Sequence, residues 1–232
     1  MEIRAYQINK SRDEFGVKYT GFELMKRHTG SFDVDPRIYD EVFRGVVKEK
    51  NLEEVFCRFR YERHGLHRGH NLAVSDVLAI TGSGREQDGA YYRDFAGWKK
   101  IGFDQSLAQR EGGLLRIVML EPGLPAYESY IRDRLPDLQR AVGGFIEITY
   151  PYDDDAVFVG NDEAKLIGME GNRMIAGSLY AGPVFIAGPD GEGFASLTEG
   201  QAQYYLKEFS EPEAYTKEEV EDSIYFKFIA LN

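Results

Sequence analysis

The stretch Asp104-Gln105-Ser106-Leu107-Ala108-Gln109-Arg110-Glu111-Gly112-Gly113 is followed at once by Leu114-Leu115-Arg116-Ile117-Val118-Met119-Leu120. The first ten residues are mostly polar and end in two glycines. The next seven are apolar apart from Arg116 and read as a strand. A polar break that runs straight into a new apolar strand marks the end of one module and the start of another. It divides 232 residues into two lengths, each sufficient for a core. The expectation is an α+β chain of two small modules in tandem, each a mostly antiparallel sheet with a few short helices. Residues 1–106 form the first, residues 107–113 a short linker, and residues 114–232 the second.

Charge breaks at the same place. Residues 1–110 hold 19 Lys and Arg against 17 Asp and Glu, a net of +2, whereas residues 111–232 hold 9 against 22, a net of −13. An acidic half repels phosphate backbones and attracts basic partners, so no direct nucleic-acid binding is expected. A solvated face that keeps the chain soluble has the same composition. No run approaches the roughly 18–20 apolar residues that cross a bilayer. The start, Met1-Glu2-Ile3-Arg4-Ala5-Tyr6, lacks a basic region followed by an apolar core. Cys57 is the only cysteine, which excludes an intramolecular disulfide and a cysteine-based zinc cage. These features describe a cytoplasmic protein without membrane association or cofactor.

Outward from the break, the first module opens with an alternating strand at residues 2–8. A short helix contains Phe22, Leu24 and Met25. Residues 38–47 read as extended, and Asn51 caps a helix that buries Leu52, Val55, Phe56 and Phe59. Residues 61–71 read as polar loop and 72–80 as ending in a strand. Two short strands flank Gly97. In the second module, Glu121-Pro122-Gly123 stops the first strand and a helix is expected from there to about Val142. Pro136 sits in the first turn of its last segment, and Gly143 or Gly144 supplies the left-handed cap. Phe145–Tyr150 and Ala156–Val159 form a hairpin. Leu179–Ala187 is one strand, Gly188–Gly191 a turn, and Thr198 caps a helix through Phe209. Lys217–Asp222 is acidic and 224–229 a final strand.

Several residue sets are candidates for chemistry. His64, His67 and His70 form H-x-x-H-x-x-H, three imidazoles that a loop can converge on zinc or nickel, with Glu62 or Asp76 as a fourth ligand. A polar loop with ordinary histidines explains the same spacing. Arg68-Gly69-His70-Asn71 with Ser75-Asp76 is a denser polar set. Asp76 interrupts an apolar run, so its side chain must be solvated or hydrogen-bonded. Cys57 lies beside Val55 and Phe56 and reads as a buried, inert thiol. Gly82-Ser83-Gly84-Arg85 lacks the lysine of a phosphate loop. Asp153, Asp154 and Asp155 match no calcium loop and read as a solvated turn. Asn161 and Lys165, then Asn172 and Arg173, suit recognition of a base or carboxylate, or equally the fixing of two turns. Asp153, Asp154, Asp155, Glu218, Glu219, Glu221 and Asp222 are the candidate acidic interaction face. No set completes a recognisable catalytic motif.

Two resemblances attach to these residues. The opening strand, Asn51-Leu52-Glu53-Glu54-Val55-Phe56, the run Arg68 to Val77, Tyr91-Tyr92-Arg93-Asp94-Phe95 and Gly97-Trp98-Lys99-Lys100-Ile101 resemble the YodL-like domain of mobile elements and their Gram-positive hosts. Asn71 and Ala73 stand where that family more often has serine. Glu121-Pro122-Gly123, Leu138-Gln139, Val142-Gly143-Gly144, Tyr150-Pro151, Asn161 to Leu166, Asn172-Arg173, Ala181-Gly182 and Ser196-Leu197-Thr198 resemble the phage- and plasmid-associated domain of unknown function 3846. Ala164 stands where a glycine is usual.

The resemblances imply an accessory gene of a mobile element and no established reaction. The leading expectation is a non-enzymatic binding protein in counter-defence. Its partner is a host protein with a basic surface, such as a CRISPR nuclease or restriction enzyme. A second expectation is a binder of a nucleotide immune signal through Arg68, His70, Asn161, Lys165, Asn172 and Arg173. A third is a metal-dependent hydrolase built on His64, His67 and His70.

Overall fold

The computed structural model describes residues 1–31, 33–82, 88–153, 155–191 and 193–224. The chain divides into two compact units, Met1–Leu114 and Leu115–Asn232. Both are mostly antiparallel sheet with a few short helices. No helix among the described residues is long and apolar enough to cross a membrane.

The first unit contains β1 (Glu2–Ile8), α1 (Phe22–Thr29), β2 (Tyr39–Val46), α2 (Leu52–Tyr61), β3 (Val77–Thr81), β4 (Gly89–Asp94) and β5 (Gly97–Ile101). The sheet order is β2-β1-β3-β4-β5, with every pairing antiparallel. One core packs Tyr6, Ile8, Val77, Ala79 and Tyr92 against Val17, Met25 and Val34. Helix α2 begins where the Asn51 side chain accepts from the Glu54 amide at 2.9 Å. It buries Leu52, Val55, Phe56 and Phe59, with Phe59 edge-on to Phe43 at 4.9 Å. Cys57 departs from expectation, because it is exposed. A helix advances about 100° per residue, so the position after Phe56 leaves the apolar stripe. Residues 107–110 turn back onto β2: the Glu41 amide donates to the Gln109 carbonyl at 2.7 Å, and Arg110 pairs with Glu41 at 2.9 Å.

The second unit contains β6 (Leu114–Leu120), β7 (Tyr127–Arg132), α3 (Leu135–Val142), β8 (Ile146–Thr149), β9 (Val157–Asn161), β10 (Gly171–Ile175), β11 (Ser178–Ala181), β12 (Val184–Asp190), β13 (Gly193–Ala195), α4 (Glu199–Glu208) and α5 (Lys217–Asp222). The main sheet runs β7-β6-β12-β9-β8, with β13 paired to β12, and β10 and β11 form a separate hairpin. Val118, Leu120, Phe158, Val184 and Ile186 pack against Ala202, Tyr205 and Phe209 of α4 and its C-terminus. Helix α3 buries Leu138, Ala141 and Val142, and α5 covers the hairpin through Val220.

Three expectations are corrected here. Residues 124–134 are not helical. The Leu124 amide bonds back to the Glu121 carbonyl at 3.1 Å, reversing the chain so that β7 pairs with β6, and the helix is only α3. Residues 179–187 are two strands. Gly182 lies at φ +68°, and a Cβ there would fall 2.4 Å from the Met169 sulfur, so the backbone turns between β11 and β12. Strand β12 also runs through Gly188 and Pro189 to Asp190, so the turn is confined to the short link before β13. The strand expected at residues 224–229 lies outside the described residues beyond Ile224. The hairpin of β8 and β9, Pro136 in the first turn of α3 and the left-handed Gly143 are found as expected.

Thr198 and Gln201 form a reciprocal capping box at the start of α4, with the Thr198 amide donating to the Gln201 side chain at 3.0 Å. Thr198→Ala removes the side-chain acceptor for the Gln201 amide. It is expected to destabilise the second unit by about 1 kcal/mol, and Thr198→Ser by a small fraction of that. Urea unfolding of the three proteins measures the difference.

Candidate functional site

In the first unit the structure brings His70 and Asp76 together, with Gln7 as their organiser. The loop carrying His70 is stitched to the sheet. The Arg68 amide donates to the Val42 carbonyl and its guanidinium to the Glu41 carbonyl, both at 2.9 Å. Gly69 is required where it stands, because a Cβ would fall 2.0 Å from the Gln7 amide oxygen. That oxygen accepts from the His70 amide at 2.9 Å. The Gln7 amide nitrogen has two hydrogens, which go to the His70 carbonyl at 2.7 Å and Asp76 Oδ2 at 2.9 Å. Asp76 Oδ2 also accepts from the Ala73 amide at 2.8 Å.

This assignment fixes the imidazole tautomer. His70 Nδ1 lies 3.1 Å from the Gln7 nitrogen and 2.8 Å from the Asn71 carbonyl. With both Gln7 hydrogens in use, Nδ1 carries a proton and donates it to Asn71. His70 Nε2 then faces Asp76 Oδ1 across 3.8 Å, and among the described residues neither of those enclosed atoms has a hydrogen-bond partner. Burial pushes the Asp76 carboxyl up to about 8. Burial pushes the His70 imidazole down. At neutral pH the carboxyl therefore keeps its proton and the ring stays neutral.

The surroundings are strained. Tyr19 (φ 66°) and Ser75 (φ 77°) are non-glycine residues in the left-handed region, and the Tyr19 amide donates to Ser75 Oγ at 2.9 Å. The Tyr19 ring packs 5.4 Å from His70, and the Tyr39 hydroxyl donates to the Ser75 carbonyl at 2.9 Å. Two strained residues locked to each other beside a buried acid are held by the surrounding contacts.

The other histidines do not join His70. His64 stacks on Phe59 and meets Phe43 edge-on at 4.7 Å, while His67 is buried against Phe59 at 5.4 Å. Burial and the Arg63 charge take His67 down to about 3. The expected metal loop is thus corrected: among the described residues no group of three His, Cys, Asp or Glu is placed to hold a metal. Asn71 turns away to donate to the Arg60 carbonyl at 2.9 Å, at the end of α2. Beyond Gly82, the glycine-rich stretch lies outside the described residues.

In the second unit Asn172 and Arg173 are structural. Asn172 donates to the Leu120 and Gly182 carbonyls at 3.0 and 2.7 Å and accepts from Arg173 at 2.7 Å. Arg173, with no exposed surface, donates to the Leu124 and Phe209 carbonyls at 2.7 and 3.1 Å. It fixes the turn after β6 to the end of α4. Asn161 and Lys165 line one groove of about 420 Å³, together with Glu147, Thr149 and Tyr180. Lys165 there donates to the Ser223 carbonyl at 3.2 Å. The expected ligand set is therefore dispersed: Arg68, Asn172 and Arg173 face backbone carbonyls, and only Asn161 and Lys165 share a groove. Asp153 and Asp155 are exposed in the turn after β8, and Glu218, Glu219, Glu221 and Asp222 are exposed on α5; Asp154 lies outside the described residues. Gln7 was missed from the sequence, although a glutamine between Tyr6 and Ile8 in an apolar strand is itself a signal of a buried polar contact.

Two outcomes follow from this geometry. Asp76 binds its proton more tightly folded than unfolded, so its contribution to stability falls as pH rises towards about 8. The depressed histidines act oppositely, but only below their ordinary value of 6.5. Between about pH 7 and 8, wild-type stability should fall by up to about 1.4 kcal/mol per pH unit. Asp76→Asn, which keeps an acceptor for Gln7 and Ala73, should show no such slope in urea unfolding. Arg173→Met leaves buried carbonyls without donors and should cost about 3 kcal/mol, read as a lower thermal midpoint.

The family model described as the YodL-like domain matches residues 2–103, from the start of β1 to just past β5. The model for the domain of unknown function DUF3846 matches residues 115–210, from β6 to just past α4. No curated protein and no solved structure matches the chain. The chain carries a YodL-like domain followed by a DUF3846 domain.

Proposed function

We propose that the chain is a non-enzymatic accessory protein of a phage or plasmid. It acts in the host cytoplasm by stoichiometric binding, as a counter-defence inhibitor of a CRISPR nuclease or restriction enzyme. The observation that carries this reading is the concentration of charge. Residues 111–232 have a net charge of −13, and Asp153, Asp155, Glu218, Glu219, Glu221 and Asp222 all lie exposed. A channel that holds nucleic acid is lined by Lys and Arg, and a surface of carboxylates competes for the same cations. The mobile-element setting of both resembled families supplies the context. The buried polar residues support recognition by surface, since Arg68, Asn172 and Arg173 already serve backbone carbonyls.

Titration of the purified protein against nucleases of its host tests the reading. Cleavage of DNA should stop near one equivalent of inhibitor, and inhibition should weaken as salt rises from about 50 to about 300 mM. Replacing Glu218, Glu219, Glu221 and Asp222 together by the neutral amides should raise the inhibition constant by about tenfold. A panel in which no nuclease is inhibited, or inhibition by trace amounts of the protein, would sink it.

A further inference from the structure

Among the described residues nothing pairs with the outer edge of β8, and its chemistry selects an occupant. The Asp162 amide donates to the Phe145 carbonyl at 3.1 Å, and the register continues Ile146↔Asn161, Glu147↔Gly160, Ile148↔Val159 and Thr149↔Phe158. Antiparallel pairs alternate between hydrogen-bonded and non-bonded. Phe145, Glu147 and Thr149 therefore bond inward to β9, and Ile146 and Ile148 turn their N–H and C=O groups outward. Strand β8 ends its sheet, and among the described residues no strand pairs with that side.

The two edges of the first unit's sheet carry protection. Strand β5 carries Lys99 and Lys100, and residue Gln109 bridges to β2. Strand β8 has neither device. It presents Ile148 at 42% exposure, flanked by Phe145 at 65% and Tyr150 at 69%. Its one charge is the exposed carboxylate of Glu147, with Asp162 beside Phe145 and Asp153 and Asp155 in the following turn.

We propose that β8 is a docking edge for an extended, basic segment of the partner protein, which adds to the sheet as a further antiparallel or parallel strand. This rests on the binding reading above and names the contact that reading needs. Side chains alternate across a strand, so those of the added segment on one face lie against Ile146, Ile148 and Tyr150 and must be apolar. Those on the other face meet Phe145, Glu147 and Thr149, and Lys or Arg is favoured opposite Glu147. Main-chain hydrogen bonds to Ile146 and Ile148 supply affinity, and the alternation supplies specificity.

Amide hydrogen exchange on the full-length protein tests this, with a synthetic peptide of alternating valine and lysine, about ten residues long, as the probe. Ile146 and Ile148 should exchange quickly in the free protein and at least about tenfold more slowly with the peptide, while Glu147 and Thr149 stay unchanged. A peptide of the same composition with its valines and lysines in separate blocks should have no effect. Ile148→Pro removes an outward N–H together with the isoleucine side chain, a change an edge strand tolerates, and should abolish the slowing at Ile146. Glu147→Lys, an exposed change that leaves the backbone alone, should weaken peptide binding about tenfold as an independent check.

Ile146 and Ile148 amides already slow in the free protein would overturn the proposal. Protection independent of concentration would assign the edge to the end of this chain, and protection that grows with concentration would assign it to a second copy. The binding reading fails separately. Nuclease inhibition equal in wild type and Ile148→Pro refutes the edge and leaves that reading standing. Slowing by the peptide without inhibition of any nuclease supports the edge and refutes the nuclease as target.

Discussion

A polar group withdrawn from water must find a partner, and both units are organised by that constraint. In the first, one glutamine amide spans the gap between β1 and the loop of residues 69–76, spending its oxygen on the His70 amide and its hydrogens on His70 and Asp76. In the second, one arginine joins the turn after β6 to the end of α4 through carbonyl oxygens. Each side chain does what a short β-ladder does elsewhere, but between segments too irregular to pair. Apolar burial supplies most of the cohesion of either unit. The polar contacts decide which irregular segment lies against which.

The same constraint explains why Asp76 stays protonated. Its Oδ2 has two donors, whereas Oδ1 faces a ring nitrogen that carries no hydrogen. An ionised carboxylate there would set an unshared charge against a lone pair in a buried site. The neutral acid avoids that charge. The left-handed Ser75 is part of this arrangement, because it turns the chain so that the Asp76 carboxylate reaches back to the Ala73 amide just before β3 begins.

Much of this fold was legible from short-range signals. Asn51 before Leu52, Thr198 before Gln201, Pro136 and Gly143 each announce a helix end through local hydrogen bonding, and each sits where it was expected. What misled was nonlocal. Residues 127–132 became a strand because a turn at residues 121–124 delivered them to β6, which no window of local sequence encodes. Gly182 reads as tolerable in a strand until Met169 is seen to occupy the space beside it. Among site residues, the importance of Asp76 was readable because a carboxylate in an apolar run demands a partner. The histidine triplet was deceptive for the opposite reason. His64 and His67 serve as aromatic core beside Phe59, and spacing alone does not separate a flat ring that packs from one that ligates.

The two units differ in where charge is left over. In the first unit, exposed ions of both signs nearly cancel, and several are tied in pairs such as Arg12 with Asp40 and Arg93 with Glu53. In the second, Asp137 gathers Arg134 and Arg140, so two of its few cations are held at one carboxylate on α3. On α5, Lys217 reaches Glu221 at 3.4 Å, while Glu218 and Asp222, like Asp153 and Asp155 in the turn after β8, add exposed carboxylates to the surplus. A surplus of one sign is costly to compactness through self-repulsion, and its gain lies in long-range attraction of an opposite surface. The outer edge of β8, unpaired among the described residues, lies within that surplus, and the proposed docking adds what charge alone lacks: main-chain pairing, a side-chain alternation and an apolar face. In the proposed docking, attraction brings a basic segment near and the strand edge decides which segment stays.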